Sequence, residues 1–328
     1  MKKLLYRLRT SLAWKKSQVF ESFHAWLVRR GADAVIRWRW PWPLRKPFAR
    51  ARLRLYSDGG GIGDELMCTP IFREIRRRNP QCHLTFVSRH PGMFRSNPHL
   101  DVVEPFSTAA IGDAVRLTYG PVLPPPRPLI TLMAECVGLK LPDDQIEPPT
   151  VAPTPEIREK CESIPRPLMV IQPQASQWTP NKQWPVESWK ELIRLLVVEF
   201  EVVEVGKETL FPEHDFGARF RSFAGATTMA DFGWIIAQAT VFIGAVSGGM
   251  HFASAFRIRS VVIFGGYESP EGSPYPLMQA FYTPVPCAPC WLTTPCPYDR
   301  KCLAAIQPAE VFRAVRAAAL DPQWTPGQ

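Results

Sequence analysis

Asp64 ends the run Gly59-Gly60-Gly61-Ile62-Gly63-Asp64, and Ser247-Gly248-Gly249-Met250-His251 repeats the theme in the other half of the chain. Glycine-led turns between a strand and a helix aim backbone N–H groups and a helix N-terminus at an anion. A carboxylate beside such a turn has another use, accepting a proton from a substrate hydroxyl. Asp64 is therefore a candidate general base, with a cap for the following helix as the plainer alternative. A nicotinamide cofactor fits poorly. The end of the second strand reads Ser88-Arg89-His90, where a ribose-binding acid is needed, and Asp64 at the turn would repel a pyrophosphate. In the second half, Ser176 and Lys182 stand in a loop, 173–185, where they can meet a phosphate or simply face water. His251 reads either as a ligand contact or as a core histidine between helix and sheet.

These residues need strands to carry them and helices to follow. An alternating run at 52–57 reads as the first strand, and a helix is expected over 65–78, stopped by Pro80. Strands follow at 83–87 and 100–104, with little between Phe106 and Tyr119. A short helix is expected over 129–138. Proline is then frequent as far as Pro167, and 142–167 reads as a linker with one possible helix at 156–163. Strands at 168–172, 201–206, 241–244 and 260–264 alternate with helical stretches after Pro185 and at 229–239. This βαβ series implies a doubly wound parallel sheet in each half, facing across a cleft. The expected divisions are a basic arm (1–50), an acceptor-side domain (51–155), a donor-side domain ending in a cysteine-rich tail (156–305), and a terminal helix (306–328).

A chain of 328 residues with 46% hydrophobic and 21% charged residues has the size and composition of two cored domains. No apolar run reaches the roughly 18–20 residues that span a bilayer, and charge interrupts the N-terminus too often for a secretory leader. The formal net charge of +9 is unevenly placed. Residues 1–50 hold thirteen Lys/Arg against Glu21 and Asp33, so the remainder is slightly acidic. The same arm holds Trp14, Trp26, Trp38, Trp40 and Trp42. Basic, tryptophan-rich and amphipathic character suits an anionic membrane surface. A helical extension packed on its own domain is the bland alternative. No nucleic-acid motif accompanies the charge, so nucleic acid is not an expected partner.

Cys287, Cys290, Cys296 and Cys302 fall within sixteen residues, the first two as C-x-x-C. Such thiols suit structural zinc or iron, although the x5 spacing of the second pair is loose. A reduced thiol cluster clamped by prolines is the alternative.

At 63–70, 96–103, 182–185 (Lys-Gln-Trp-Pro), 247–251 and the tail through Ile306-Gln-Pro308, the chain resembles glycosyltransferase family 9, the heptosyltransferases of lipopolysaccharide core assembly. The resemblance implies a GT-B fold and inverting, metal-independent transfer from a nucleotide sugar, an ADP-sugar by family habit, to a lipid-linked glycan. It implies Asp64 as catalytic base, with Gly61 and Gly63 on the acceptor-side loop. Ser176, Lys182, Ser247, Gly248, Gly249 and His251 would hold the donor diphosphate, and Glu208 the ribose. It also implies work at the cytoplasmic face of the inner membrane, no catalytic cofactor, and in some members a cysteine-bound iron. The chain departs from the family pattern at Val246, where an aspartate is usual, and in its short first domain. A noncatalytic nucleotide-sugar-binding member of the fold is the competing expectation.

Overall fold

The computed structural model describes residues 47–120, 123–175 and 179–326. The basic arm up to residue 46 and Ser176 lie outside them. Two parallel sheets organise the rest. The first has the order β3-β2-β1-β4, built from β1 (Arg52–Ser57), β2 (His83–Ser88), β3 (Val102–Pro105) and β4 (Val115–Leu117). The second contains β5 (Leu168–Gln172), β6 (Glu201–Glu204), β7 (Phe220–Ser222), β8 (Val241–Ala245), β9 (Arg259–Gly265) and β10 (Met278–Tyr282). Its order, β7-β6-β5-β8-β9-β10, is that of a doubly wound dinucleotide-type sheet. The central strands β5 and β8 are apolar without alternation because helices cover both faces, and Leu168–Ile171 and Val241–Ile243 are fully buried.

Each sheet reverses its strand order once. The reversal falls between β1 and β4 in the first sheet and between β5 and β8 in the second. Such switch points open a crevice beyond the C-terminal strand ends, where ligands bind in this class of fold. Both glycine turns lie there. Gly59–Gly61 connect β1 to α1 (Ile62–Leu66), and Val246-Ser247 connect β8 to α7 (Gly248–Ala255). The helices between them are α2 (Thr69–Arg78), α3 (Leu129–Glu135), α4 (Pro155–Glu162), α5 (Val186–Glu199) and α6 (Met229–Ala237). Two more follow, α8 (Lys301–Ala304) and α9 (Pro308–Leu320).

The expected helix at 65–78 is two helices. Pro70 has no N–H to give the Leu66 carbonyl, and the Thr69 hydroxyl donates to that oxygen instead, at 2.8 Å. The stretch between Phe106 and Tyr119 is not empty, since β4 pairs there with β1. Three residues are too few to show a period. β7 and β10 are sheet edges that patterning also leaves unmarked. Among the described residues no helix is long and apolar enough to cross a membrane.

Candidate active site

The two switch points share a cleft of about 2450 Å³, and Asp64, Tyr119, Lys182, Glu208, Ser247 and His251 all line it. The walls meet where α1 packs on α7. Gly63 is required at that contact: a Cβ there would stand 2.4 Å from Cδ2 of His251. Ile62 likewise reaches over Gly248. The two glycine turns are thus in direct contact.

Asp64 is the third residue of α1. Its Oδ2 accepts the Gly61 backbone N–H at 3.1 Å, and its Oδ1 accepts the Tyr119 hydroxyl at 2.9 Å. The capping role and the cleft-facing role therefore coexist in one carboxylate. A side chain at Gly59 would collide with that carboxylate, with a Cβ at 2.1 Å from Cγ, so the turn must be glycine for Asp64 to lie over it. Burial raises the Asp64 pKa above the ordinary aspartate value, and the hydrogen bonds from Tyr119 and Gly61 and the charge of Lys182 oppose the rise. A raised pKa moves a carboxylate towards the range where it can take a proton at neutral pH.

Glu65 points the other way. It is 1% exposed and accepts the Ser88 hydroxyl at 2.7 Å and the Arg89 N–H at 2.6 Å, with His90 Nδ1 at 3.0 Å. The segment where a dinucleotide enzyme would hold a ribose is occupied here by an internal acid.

On the opposite wall, Lys182 ends a short turn, Pro180–Lys182, and is ion-paired with Glu268 beneath the ring of Tyr267. Ser247 donates to Gln172 Oε1 at 2.7 Å, and Gly249 N–H donates to the same oxygen at 3.1 Å. Gln172, at the end of β5, thus caps α7. His251 is 8% exposed, with Nδ1 at 2.6 Å from the Tyr275 hydroxyl. Burial, reinforced by the charge of Lys182, lowers its pKa to about 3. It is neutral at physiological pH and offers a hydrogen bond but no charge. His251 is thus buried between α7 and its neighbours and also lines the cleft. Glu208 is exposed in the loop after β6. Buried Glu204 pins that loop, accepting Leu210 N–H at 3.0 Å and the Ser222 hydroxyl at 2.6 Å. Val246 is buried at 5%, so the position where the family pattern has an acid carries no charge.

The cysteine tail serves as a brace. Asn181, 4% exposed, donates to the carbonyls of Leu292 at 2.7 Å and Thr294 at 2.8 Å, and its Oδ1 accepts Cys296 N–H at 3.1 Å. Arg300 donates to the Gln183 carbonyl at 2.9 Å. The turn carrying Lys182 is therefore stitched to the tail. Cys287, Cys290, Cys296 and Cys302 are free thiols. Cys287, Cys296 and Cys302 all lie close enough to raise the Cys290 pKa, although among the described residues no three metal-ligating side chains converge on one point.

Gln172, Tyr119, Glu65 and Glu268 carry no motif of their own. Only their positions at strand ends beside the switch points give them away.

Two such sheets facing one cleft are the architecture of the GT-B fold. The family model for glycosyltransferase family 9 (heptosyltransferase) matches residues 128–291, half of the chain, and the chain belongs to that family. It is a glycosyl-transferring enzyme. The matched segment holds Lys182, Glu208 and the Ser247–His251 turn, whereas Asp64 precedes it. No curated protein matches the sequence significantly. Among solved structures, the Escherichia coli ADP-heptose lipopolysaccharide heptosyltransferase II aligns with a TM-score of 0.60 at 17% identity, covering 83% of this chain and all of that one. A family 9 transferase from Veillonella parvula aligns at 0.63 and 14% identity, over 84% and 99% of the two chains. The iron-containing dodecameric transferase TibC of enterotoxigenic E. coli aligns at 0.60 and 19%, over 81% and 78%. At these identities the likeness is one of fold.

Proposed function

We propose that the protein is an inverting transferase that moves a heptose-like sugar from an ADP-sugar to a lipid-linked glycan. The single observation that carries this reading is the pair Asp64 and Lys182, which line one cleft, with the Lys182 ammonium opposing the rise in the Asp64 pKa. Residues 51–155 form the acceptor side, and 156–305 the donor side. In the reaction, Asp64 takes the proton from an acceptor hydroxyl as its oxygen bonds to the anomeric carbon from the face opposite the leaving group. The bond from that carbon to the phosphate oxygen breaks, and the diphosphate leaves with the electron pair. Lys182 and the N–H groups at the start of α7 meet the charge that develops there. Ser247 and His251 add hydrogen bonds, and Glu208 faces the ribose. Ser176 belongs to the same donor loop. TibC has been solved with ADP-D-β-D-heptose and the E. coli enzyme WaaC with ADP, which favours an adenine nucleotide.

The test is release of ADP from ADP-heptose with and without a lipopolysaccharide-core acceptor. Release that no glycan acceptor accelerates would defeat the reading.

A pH profile probes the base separately. The Tyr119 hydrogen bond holds the Asp64 pKa down against the effect of burial. Tyr119→Phe is therefore expected to raise it further and move the acid limb of kcat/KM to higher pH, leaving the plateau nearly unchanged. A limb that does not move would mean that it reports a group other than Asp64. No step in the profile near pH 6–7 is expected from His251, which stays neutral throughout that range.

We further propose that the arm, residues 1–50, holds the enzyme against the cytoplasmic leaflet of the inner membrane. Polybasic attraction is worth about 1 kcal/mol per residue near the surface and is screened by salt. Deleting residues 1–45 is expected to abolish sedimentation with acidic vesicles and to spare activity on a soluble acceptor. A truncated protein that still sediments would put the membrane contact elsewhere.

A further inference from the structure

Glu268 has no part in the function above. It follows β9 in the loop Gly266-Tyr267-Glu268, lines the cleft and is 8% exposed. Its carboxylate is paired with the Lys182 ammonium, and the two side chains are only 10% and 15% exposed. Tyr267 places its ring centroid 4.8 Å from the same ammonium. An ammonium withdrawn this far from water needs a counter-anion, and the fold supplies one. Of the groups around it, His251 is neutral and Val246 apolar, while the Arg300 guanidinium spends its N–H groups on the backbone carbonyls of Pro180 and Gln183 that flank Lys182. Gln172 already accepts one N–H of α7. The charge of Lys182 is thus balanced from within the protein.

We propose that Glu268 is an internal stand-in for the donor's diphosphate, holding Lys182 before the donor arrives and yielding it when the donor enters. This rests on the reading that Lys182 contacts the diphosphate. The physical consequence is an exchange rather than a gain. A phosphate oxygen and a carboxylate oxygen offer the same charge-assisted bond to the ammonium, so the donor wins only the difference between them. The apparent affinity is lowered by the fraction of protein in which Lys182 is still paired. In return, the lysine is kept extended and pointed into the cleft at all times. Glu268 is in this sense a positioning residue that also tempers how tightly a nucleoside diphosphate is held.

The experiment is calorimetric titration of the full chain with ADP, and with adenosine as the probe that lacks phosphate. Glu268→Gln preserves shape and hydrogen bonding but removes the charge. It is expected to tighten ADP binding about three- to tenfold and to leave adenosine unaffected. Lys182→Met is expected to weaken ADP at least tenfold. In the Lys182→Met background, adding Glu268→Gln is expected to change ADP affinity by less than about twofold. Weaker ADP binding in Glu268→Gln would overturn the exchange, because the carboxylate would then be preparing the site rather than competing for it. A gain that survives in the Lys182→Met background would also overturn it, reducing Glu268 to general repulsion. If Lys182→Met binds ADP normally, the reading of Lys182 itself fails, and that result is separate from the first two. Thermal unfolding of each variant establishes that it is folded, and Lys182→Arg, which keeps the charge, should bind ADP more tightly than Lys182→Met.

Discussion

The Asp64→Asn enzyme is expected to bind ADP nearly as well as the unaltered protein and to turn over about 10²–10⁴ times more slowly, the usual range for a lost general base. The geometry makes the substitution clean. Asparagine keeps an oxygen over the glycine turn for one of the two donors, the Gly61 N–H or the Tyr119 hydroxyl, but it cannot take a proton. The stability expectation has a definite sign. A carboxyl whose folded pKa lies above its unfolded value contributes stability below the unfolded value and loses it as pH rises through the folded value. Burial puts Asp64 in that class, so its ionised form is a liability at neutral pH. Removing the charge offsets the lost hydrogen bond, and the melting temperature at pH 7 should change little. Near-normal turnover in folded Asp64→Asn protein would take Asp64 out of the mechanism.

Gly63→Val should have the next largest effect. The new side chain must enter space held by the His251 ring, which is buried and tied to Tyr275. Neither backbone can absorb the collision without moving α1 relative to α7. Overpacking of this kind costs about 1–3 kcal/mol. The functional loss should be larger than the loss of stability, because α1 carries Asp64 and α7 opens on the Ser247–Gly249 turn proposed to meet the donor. A displacement of about 1 Å between reacting groups can cost on the order of 10²-fold in rate. Turnover is therefore expected to fall about 10²-fold while the protein remains soluble, with ADP affinity the less affected quantity. A soluble Gly63→Val enzyme with ordinary turnover would show that the α1–α7 contact is not kept during catalysis.

Much of this arrangement is legible in the amino-acid sequence, and the reasons are physical. The apolar runs at 168–172 and 241–244 announce buried parallel strands because they are short and continuous, and are bounded by a proline in the first case and a glycine turn in the second. The turns themselves show because glycine marks close approach, to the Asp64 carboxylate at Gly59 and to the His251 ring at Gly63. What stays hidden depends on distant pairings. Tyr119 matters only because β4, three residues long, docks beside β1 and delivers it to Asp64. Gln172 matters because β5 and β8 are neighbours, and Glu268 because its loop returns to Lys182 from more than eighty residues away. No local pattern encodes such meetings. Likewise, no spacing of the four cysteines announces that the tail's backbone and Arg300 tie it to Asn181 and Gln183.

That brace also sets a timetable. Asn181 is fixed by Leu292, Thr294 and Cys296, which follow it by 111 to 115 residues. Chain elongation at about 5–20 residues per second puts those partners on the order of 6–24 s behind the lysine turn during synthesis. When the lysine turn emerges, the nascent chain contains the first glycine turn and β5 but not yet the second glycine turn. The loop bearing Lys182 then has only local bonds, such as the Asn181 N–H to the Thr179 hydroxyl and the Gln183 side chain to Ala175. Closing so long a loop also carries an entropic cost that local turns escape. A chain stopped near residue 285 would carry Lys182 on a turn that still lacks every one of these distant partners.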